Sequence, residues 1–108
     1  MDEQIFLTKA GQYLENLAGD LEDSDQEYLL DVECQDGVLE ISDDKNRVYV
    51  INRHAASGKI WYSSPFSGAD YFWFNDELNK WLNDKNEALE NILAQELEKN
   101  YQISLNVN

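Results

Sequence analysis

Carboxylates are the only chemistry-bearing side chains this sequence holds in quantity. Of 108 residues, 22 are Asp or Glu against eight Lys or Arg, for a formal net charge of −14. They are unevenly placed: residues 1–44 hold fourteen acids and one base, Lys9, whereas residues 45–108 hold eight acids and seven bases. Eight of the acids, Glu15, Asp20, Glu22, Asp23, Asp25, Glu27, Asp31 and Glu33, fall within nineteen residues. Exposed oxygen ligands without a cage bind hard cations weakly and with little selectivity. Ferrous and ferric iron, manganese, calcium and other divalent cations all fit such a set, and weak binding suits delivery or sensing better than a resident cofactor. The plainer explanation is a solvated acidic surface kept for solubility. Either way, such a surface repels nucleic acid and anionic membranes and attracts cations and basic protein patches.

Other reactive residue types are scarce. There is one His, His54, and one Cys, Cys34. No Gly-rich phosphate loop or Ser-centred nucleophile elbow occurs, so no catalytic residue is assigned. Cys34 has no internal disulfide partner, which suits a reducing compartment, and it reads as a small buried hydrophobe. His54, beside a loop, reads as a surface residue. The segment from Asp23 superficially suggests a calcium hand, but Tyr28 stands where glycine is needed and Cys34 where glutamate is needed. A two-His-one-carboxylate set for ferrous iron is also missing.

The elements that must position these groups follow from periodicity. Phe6, Ala10, Tyr13, Leu14, Leu17 and Leu21 recur at helical intervals, predicting an amphipathic helix from Asp2 or Glu3 to about Leu21. Gly11 and Gly19 weaken it slightly. Asp20 to Glu27 then crowds carboxylates into its last turn and the following loop, against the helix dipole. Leu29 to Glu33 reads as a strand, Asp36-Gly37 as a hairpin turn, and Val38 to Ser42 as the return strand. Val48 to Phe74 holds the densest run of β-favouring residues, broken at Ala55 to Gly58 and Ser63 to Gly68 into three antiparallel strands. A short strand is expected around Trp81-Leu82, and a second helix from Lys85 or Asn86 to Lys99, with Leu89, Ile92, Leu93 and Leu97 inward and Glu87, Glu90, Gln95 and Glu98 outward. The alternating tail Tyr101, Ile103, Leu105 and Val107 is expected to lie on the domain, in the groove between the helices.

One domain, residues 1–108, is therefore predicted. Its fold class is α+β, a two-layer sandwich with two helices on one face of an antiparallel sheet of five or six strands and the other face meeting solvent. No apolar run is long enough for a spanning helix.

Within this frame, Val50-Ile51-Asn52-Arg53, a loop, Ile60-Trp61-Tyr62-Ser63-Ser64-Pro65 and Ser67-Gly68 resemble the signature of the frataxin family, whose bacterial members are called CyaY. The flanking helices match as well, so the resemblance covers nearly the whole chain. It implies an iron-binding accessory protein of iron–sulfur cluster assembly. An acidic ridge on the first helix and first strand would bind iron and basic partners. The open sheet face would engage the cysteine desulfurase and the scaffold protein. Asp20, Glu22, Asp23, Asp25, Glu27 and Asp31 match the ridge in kind, and Asn52 and Trp61 match the face. His54 stands where glutamine is usual in the family, Lys59 where glutamine is frequent, and Tyr71 where a basic residue or His is common. These departures point to an altered partner contact or an added metal ligand at His54.

Strand alternation together with the family pattern assigns Ile51, Ile60, Tyr62, Phe72 and Phe74 to the core. Asn52, His54, Lys59, Trp61, Ser63, Tyr71 and Trp73 are left on the open face as the partner surface. A register slipped by one would instead bury Trp61 and Trp73. Two rival functions stand beside this reading. One is a ferroxidase or iron-detoxifying protein, distinguished by oxygen consumption on adding ferrous iron. The other is an acidic interaction module without a metal role. The chain is expected to be monomeric, with metal-dependent oligomers as a variant. The expected compartment is a bacterial cytoplasm, because Met1 leads directly into the helix without an Arg-rich leader; the alternative is a mitochondrial matrix.

Overall fold

A computed structural model describes residues 1–106. The elements run α1 (Glu3–Ser24), β1 (Asp31–Gln35), β2 (Val38–Ser42), β3 (Val48–His54), β4 (Lys59–Ser64), β5 (Gly68–Asn75), β6 (Lys80–Leu82) and α2 (Leu89–Tyr101). The six strands form one antiparallel meander in sequential order, β1 to β6. Both helices cover one face. Among the described residues no helix is long and apolar enough to cross a membrane.

Alternation decides which side chains go inward. Leu39 and Ile41 on β2, Tyr49 and Ile51 on β3, Ile60 and Tyr62 on β4, Phe72 on β5 and Trp81 on β6 are all buried. They meet Phe6, Ala10, Leu14, Leu17 and Leu21 of α1 and Leu89, Leu93 and Leu97 of α2 in one continuous core. Phe74 is only half-buried, because it lies at the margin of the core, with the Lys9 ammonium 4.4 Å from its ring centre. Asp36 and Gly37, with φ of 53° and 76°, make the two-residue β1–β2 turn that requires left-handed backbone at both positions.

Two polar hubs tie α2 to the sheet. The Glu96 carboxylate accepts from four hydroxyls: Tyr49 at 3.0 Å, Tyr62 at 3.0 Å, Ser64 at 2.5 Å and Ser67 at 2.8 Å. Ser64 Oγ in turn accepts from the Phe66 and Ser67 amides, closing the β4–β5 turn. Burial first, and then the Glu96 charge, push the Tyr49 and Tyr62 phenols well above their usual range. At the C-terminus of α2, Tyr101 donates to Asp43 at 2.8 Å, and Asp43 also accepts from Arg47 Nε at 2.6 Å and from the Lys45 and Arg47 amides. Burial opposes the Asp43 charge, yet these donors together hold its carboxyl well below the carboxylate range.

Arg53 fills a narrow passage. Its guanidinium Nη1 donates to the Leu7 carbonyl at 2.7 Å. A Cβ at Gly11 would stand 2.8 Å from that same nitrogen, and one at Gly37 only 2.0 Å from Nε. Gly37 is thus required by a close approach, and a side chain at Gly11 would have to displace the arginine tip from the Leu7 carbonyl, which gives the Gly11 interruption of α1 a packing reason.

Element boundaries differ from the sequence expectations where side chains capture backbone. α1 continues past Leu21 to Ser24, so Glu22 and Asp23 are helical rather than in a loop. β1 begins at Asp31 rather than Leu29, because the Leu29 and Leu30 amides donate to the Asp25 carboxylate. α2 begins at Leu89 rather than Lys85 or Asn86, because Asn83 Oδ1 accepts from the Lys85 and Glu87 amides and holds a separate turn. It ends at Tyr101 rather than Lys99, with Gln102 in left-handed conformation as the C-cap. Ile92 is half-buried, and Glu90, expected outside, is half-buried between Tyr13 and Lys80. Ile103 and Leu105 join the core, as the alternating tail predicts; Val107 lies outside the described residues.

Candidate functional site

The register of the sheet lays the acids and the aromatics on one open face. Gln35 pairs with Val38, Val38 with Asn52, Asn52 with Trp61, and Trp61 with Tyr71, so these residues form a single row across five strands. A neighbouring row runs Glu33, Glu40, Val50, Ser63 and Ala69. Asp31 lies two residues from Glu33, on the same side of β1. Edge strand β1 is therefore acidic on its outer face, and the aromatics lie on the strands beyond it.

Trp61, Tyr71 and Trp73 are 40%, 46% and 41% exposed, while their neighbours Ile60, Tyr62 and Phe72 are buried. The register slipped by one is excluded. His54 stacks on Trp61 at 4.3 Å between ring centres and 17° between planes, and its Nδ1 lies 2.8 Å from Ser57 Oγ. Tyr71 meets Trp61 edge-on at 5.5 Å. The Lys59 ammonium lies 5.5 Å from the Trp73 ring centre and 6.0 Å from that of Tyr71. Asn52, His54 and Lys59 are half-buried and Ser63 is exposed. All seven predicted face residues thus lie on one surface. Three large aromatics thus share one solvent-facing surface on a small domain, an apolar patch of the kind that interaction surfaces carry.

The acids are positioned by α1, the loop after it and β1. Glu15, Asp20, Glu22 and Asp23 are exposed on α1, Glu27 on the loop, and Asp31 and Glu33 on β1. Glu33 stands directly opposite Glu40 across the β1–β2 ladder, a like-charge pair that opposes pairing. No basic residue occupies the last turn of α1 to offset its acids or its dipole. Neither arrangement is what stability alone selects.

Asp25 departs from the expectation of an exposed cluster. It is 5% exposed, and its two oxygens accept from the Leu29 and Leu30 amides at 2.9 and 2.8 Å. Its carboxylate shapes the loop, and it leaves the set of candidate ligands. The next residues carry Tyr28, 90% exposed and at φ 55°, outward. Cys34 is half-buried, and its thiol is pushed up by burial and then by the nearby Glu15 charge, which makes it a poor nucleophile. Among the described residues no three His, Cys, Asp or Glu side chains converge on a metal-sized point. What the ridge can do is collect hard cations over an open surface, through ligands that let go readily.

Sequence reasoning missed Glu40 as a member of the acidic face, although its outward direction follows from Leu39 and Ile41. It also missed Glu96, which it had no signal to separate from the other glutamates of α2.

Comparison with known proteins agrees with this geometry. Residues 1–103 match the model of the frataxin-like domain. The iron-sulfur cluster assembly protein CyaY of Thioalkalivibrio sulfidiphilus is 33% identical over 85 residues, covering 79% of this chain and 78% of that protein. The mitochondrial frataxin homolog of Saccharomyces cerevisiae is 34% identical over 96 residues, covering 84% of this chain and 53% of that protein. Among solved structures, trimeric yeast frataxin complexed with ferrous iron superposes with a TM-score of 0.73 at 32% identity, over 84% of this chain and 83% of that one. Frataxin from Psychromonas ingrahamii gives 0.77 over 98% and 97% of the two chains; at 16% identity it speaks to the fold alone.

Proposed function

The chain belongs to the frataxin family, and from that premise we propose that it is an iron-binding accessory protein of iron–sulfur cluster assembly. Iron is its cargo or its signal rather than a fixed cofactor. The exposed carboxylates Glu15, Asp20, Glu22, Asp23, Glu27, Asp31 and Glu33 hold it, and Glu40 extends the set onto the open face. Asn52, His54, Lys59, Trp61, Ser63, Tyr71 and Trp73 dock on the cysteine desulfurase and its scaffold. The acidic end reinforces docking by attracting basic surface on those partners. The docking unit is a single chain, and the setting is a bacterial cytoplasm, with the mitochondrial matrix as the alternative.

The observation that carries this reading is the continuity of the open face. β1 acids and the Trp61 row share one surface, so a partner covering the aromatics lies beside the cation-collecting edge. A cation released there passes to the partner over a short path. Oxygen-only ligands that do not converge favour such release.

Anaerobic titration with ferrous iron, followed by amide resonances, tests it. Signals from Asp20 to Asp23, Glu27, Asp31 and Glu33 should move first, and the variant Asp20→Asn, Glu22→Gln, Asp23→Asn should lose most of the response. Movement confined to the Trp61 surface would contradict the ridge assignment.

A further inference from the structure

A groove of about 670 Å³ lies on the helical side of the domain, between α1, the β5–β6 hairpin and the first turn of α2. The partner face and the acidic edge take no part in it. Its apolar walls are Phe74, Trp81 and Ile5, the last 53% exposed although it is aliphatic. Its polar groups are unusual for this molecule. Lys9, the single base among residues 1–44, stands at the groove with its ammonium 4.4 Å from the Phe74 ring centre. Among the described residues Lys9 pairs with no carboxylate. Glu90, the one acid in the lining, has both oxygens engaged, one by the Tyr13 hydroxyl at 2.6 Å and the other by the Lys80 ammonium at 3.4 Å. Burial, reinforced by Glu90, pushes the Tyr13 phenol well above its usual range, so it remains a donor to that carboxylate.

We propose that this groove binds a small organic monoanion, a carboxylate on an aromatic or aliphatic body. The body lies against Phe74, Ile5 and the edge of Trp81, and the carboxylate pairs with Lys9. Charge complementarity selects the class. The lining carries Lys9, Lys80 and Glu90, a net of +1 on a chain of −14. The Glu90 charge is already countered by Lys80 and shared with the Tyr13 hydroxyl, which weakens its pull on a cationic ligand, whereas Lys9 has no carboxylate partner among the described residues and can pair with an anion. One unpaired ammonium balances a singly charged carboxylate, whereas a phosphate dianion would leave a charge uncompensated beside the apolar walls. The apolar walls add burial that inorganic anions cannot use. The proposal is independent of the iron-binding reading, because neither the ridge nor the open face contributes to the groove.

Phenylacetate is a suitable probe, with phenethylamine as its cationic counterpart. Titrated into the intact chain, phenylacetate should shift amide signals of Ile5, Lys9, Gln12 and Asn79 saturably, with a Kd on the order of millimolar for so few atoms. Phenethylamine should bind at least about fivefold more weakly, and Lys9→Gln should weaken phenylacetate by a similar roughly fivefold factor, as expected for a partly exposed ion pair. Lys9 is exposed, so the variant should fold, and an unchanged melting temperature verifies it. Equal binding of the two probes, unaltered affinity in Lys9→Gln, shifts centred on Trp61, or no saturation by tens of millimolar would each overturn the proposal.

Discussion

Replacing Glu96 by alanine probes how α2 is held to the sheet. Four hydroxyls donate to this carboxylate, and three belong to residues that are nearly inaccessible: Tyr49 at 1%, Tyr62 at 1% and Ser64 at 6% exposure. Alanine leaves all three without an acceptor. A buried polar group stranded in this way costs about 1–3 kcal/mol. Water entering from the adjacent cavity, lined by Tyr62, Ser67 and Glu96, recovers part of that loss. The expected net destabilisation is therefore about 3–5 kcal/mol, a large share of the ~5–15 kcal/mol that holds a domain of this size. Glu96→Gln keeps the volume and one acceptor oxygen but loses the charge, so about 1–2 kcal/mol is expected. Urea unfolding should show the midpoint falling in the order wild type, Gln, Ala with an unchanged slope. The melting temperature of the alanine variant should drop by more than ~10 °C. Glu77→Ala, in the exposed β5–β6 turn, should stay within about 0.5 kcal/mol of wild type. An alanine variant that loses less than ~1 kcal/mol would refute the reasoning, since the hydroxyls would then have found other partners.

Asp25→Ala should destabilise the domain by about 2–3 kcal/mol, through the freed Leu29 and Leu30 amides, whereas Asp23→Asn should be neutral or slightly stabilising at the helix C-terminus; thermal melts of both separate a loop-shaping acid from a ridge acid. The Tyr101 phenol is raised to about 12 from 10.0, and Tyr13, Tyr49 and Tyr62 are raised as well. Their raised values favour the fold below pH 10, and that contribution fades as pH climbs through the tyrosine range, so unfolding in base should coincide with tyrosinate absorbance. Asp43 acts in the opposite sense: its lowered pKa stabilises above its ordinary 3.8 and is lost as pH falls below it, which acid titration of Asp43→Asn should reveal as a shallower decline. Trp61→Ala should leave the melting temperature within about 3 °C, because the ring is 40% exposed, yet weaken binding to the desulfurase–scaffold complex about tenfold or more; a large loss of stability with unchanged binding would assign Trp61 to folding instead.

Most of the sheet was legible because its residues alternate strictly. Leu39 and Ile41, Ile60 and Tyr62 each flank an outward residue, and one such pair fixes the face of everything between. The helical stripes were equally plain, since Phe6, Leu14 and Leu21 fit only one period. Boundaries were not, because they depend on which side chain reaches which amide. Asp25 and Asn83 each take two backbone donors out of the neighbouring element, and nothing in their types distinguishes them from the solvated acids and amides nearby. The same blindness applies to function. The count of acids revealed a charged end, and alternation with Leu39 and Ile41 puts Glu40 outward, but that Asp25 faces inward appears only once the loop is set. Ser64 shows the limit of motif reading, since the buried serine of the Ser63-Ser64-Pro65 run serves the turn and Glu96 while Ser63 faces solvent.

The passage filled by Arg53 binds the fates of three distant positions. Any side chain at Gly37 would collide with the arginine stem, and one at Gly11 would press on its tip. Mutational scanning should therefore find Gly37 intolerant, and substitutions at Gly11 costly mainly through the lost Arg53–Leu7 bond and permissive once the arginine is shortened, whereas Gly37 should stay restricted by its backbone at φ 76°. A stretch of helix, a hairpin turn and a strand end thus share one lock, and a designer stiffening α1 at Gly11, rather than at Gly19 where a Cβ meets nothing, must reckon with a residue forty-two positions away.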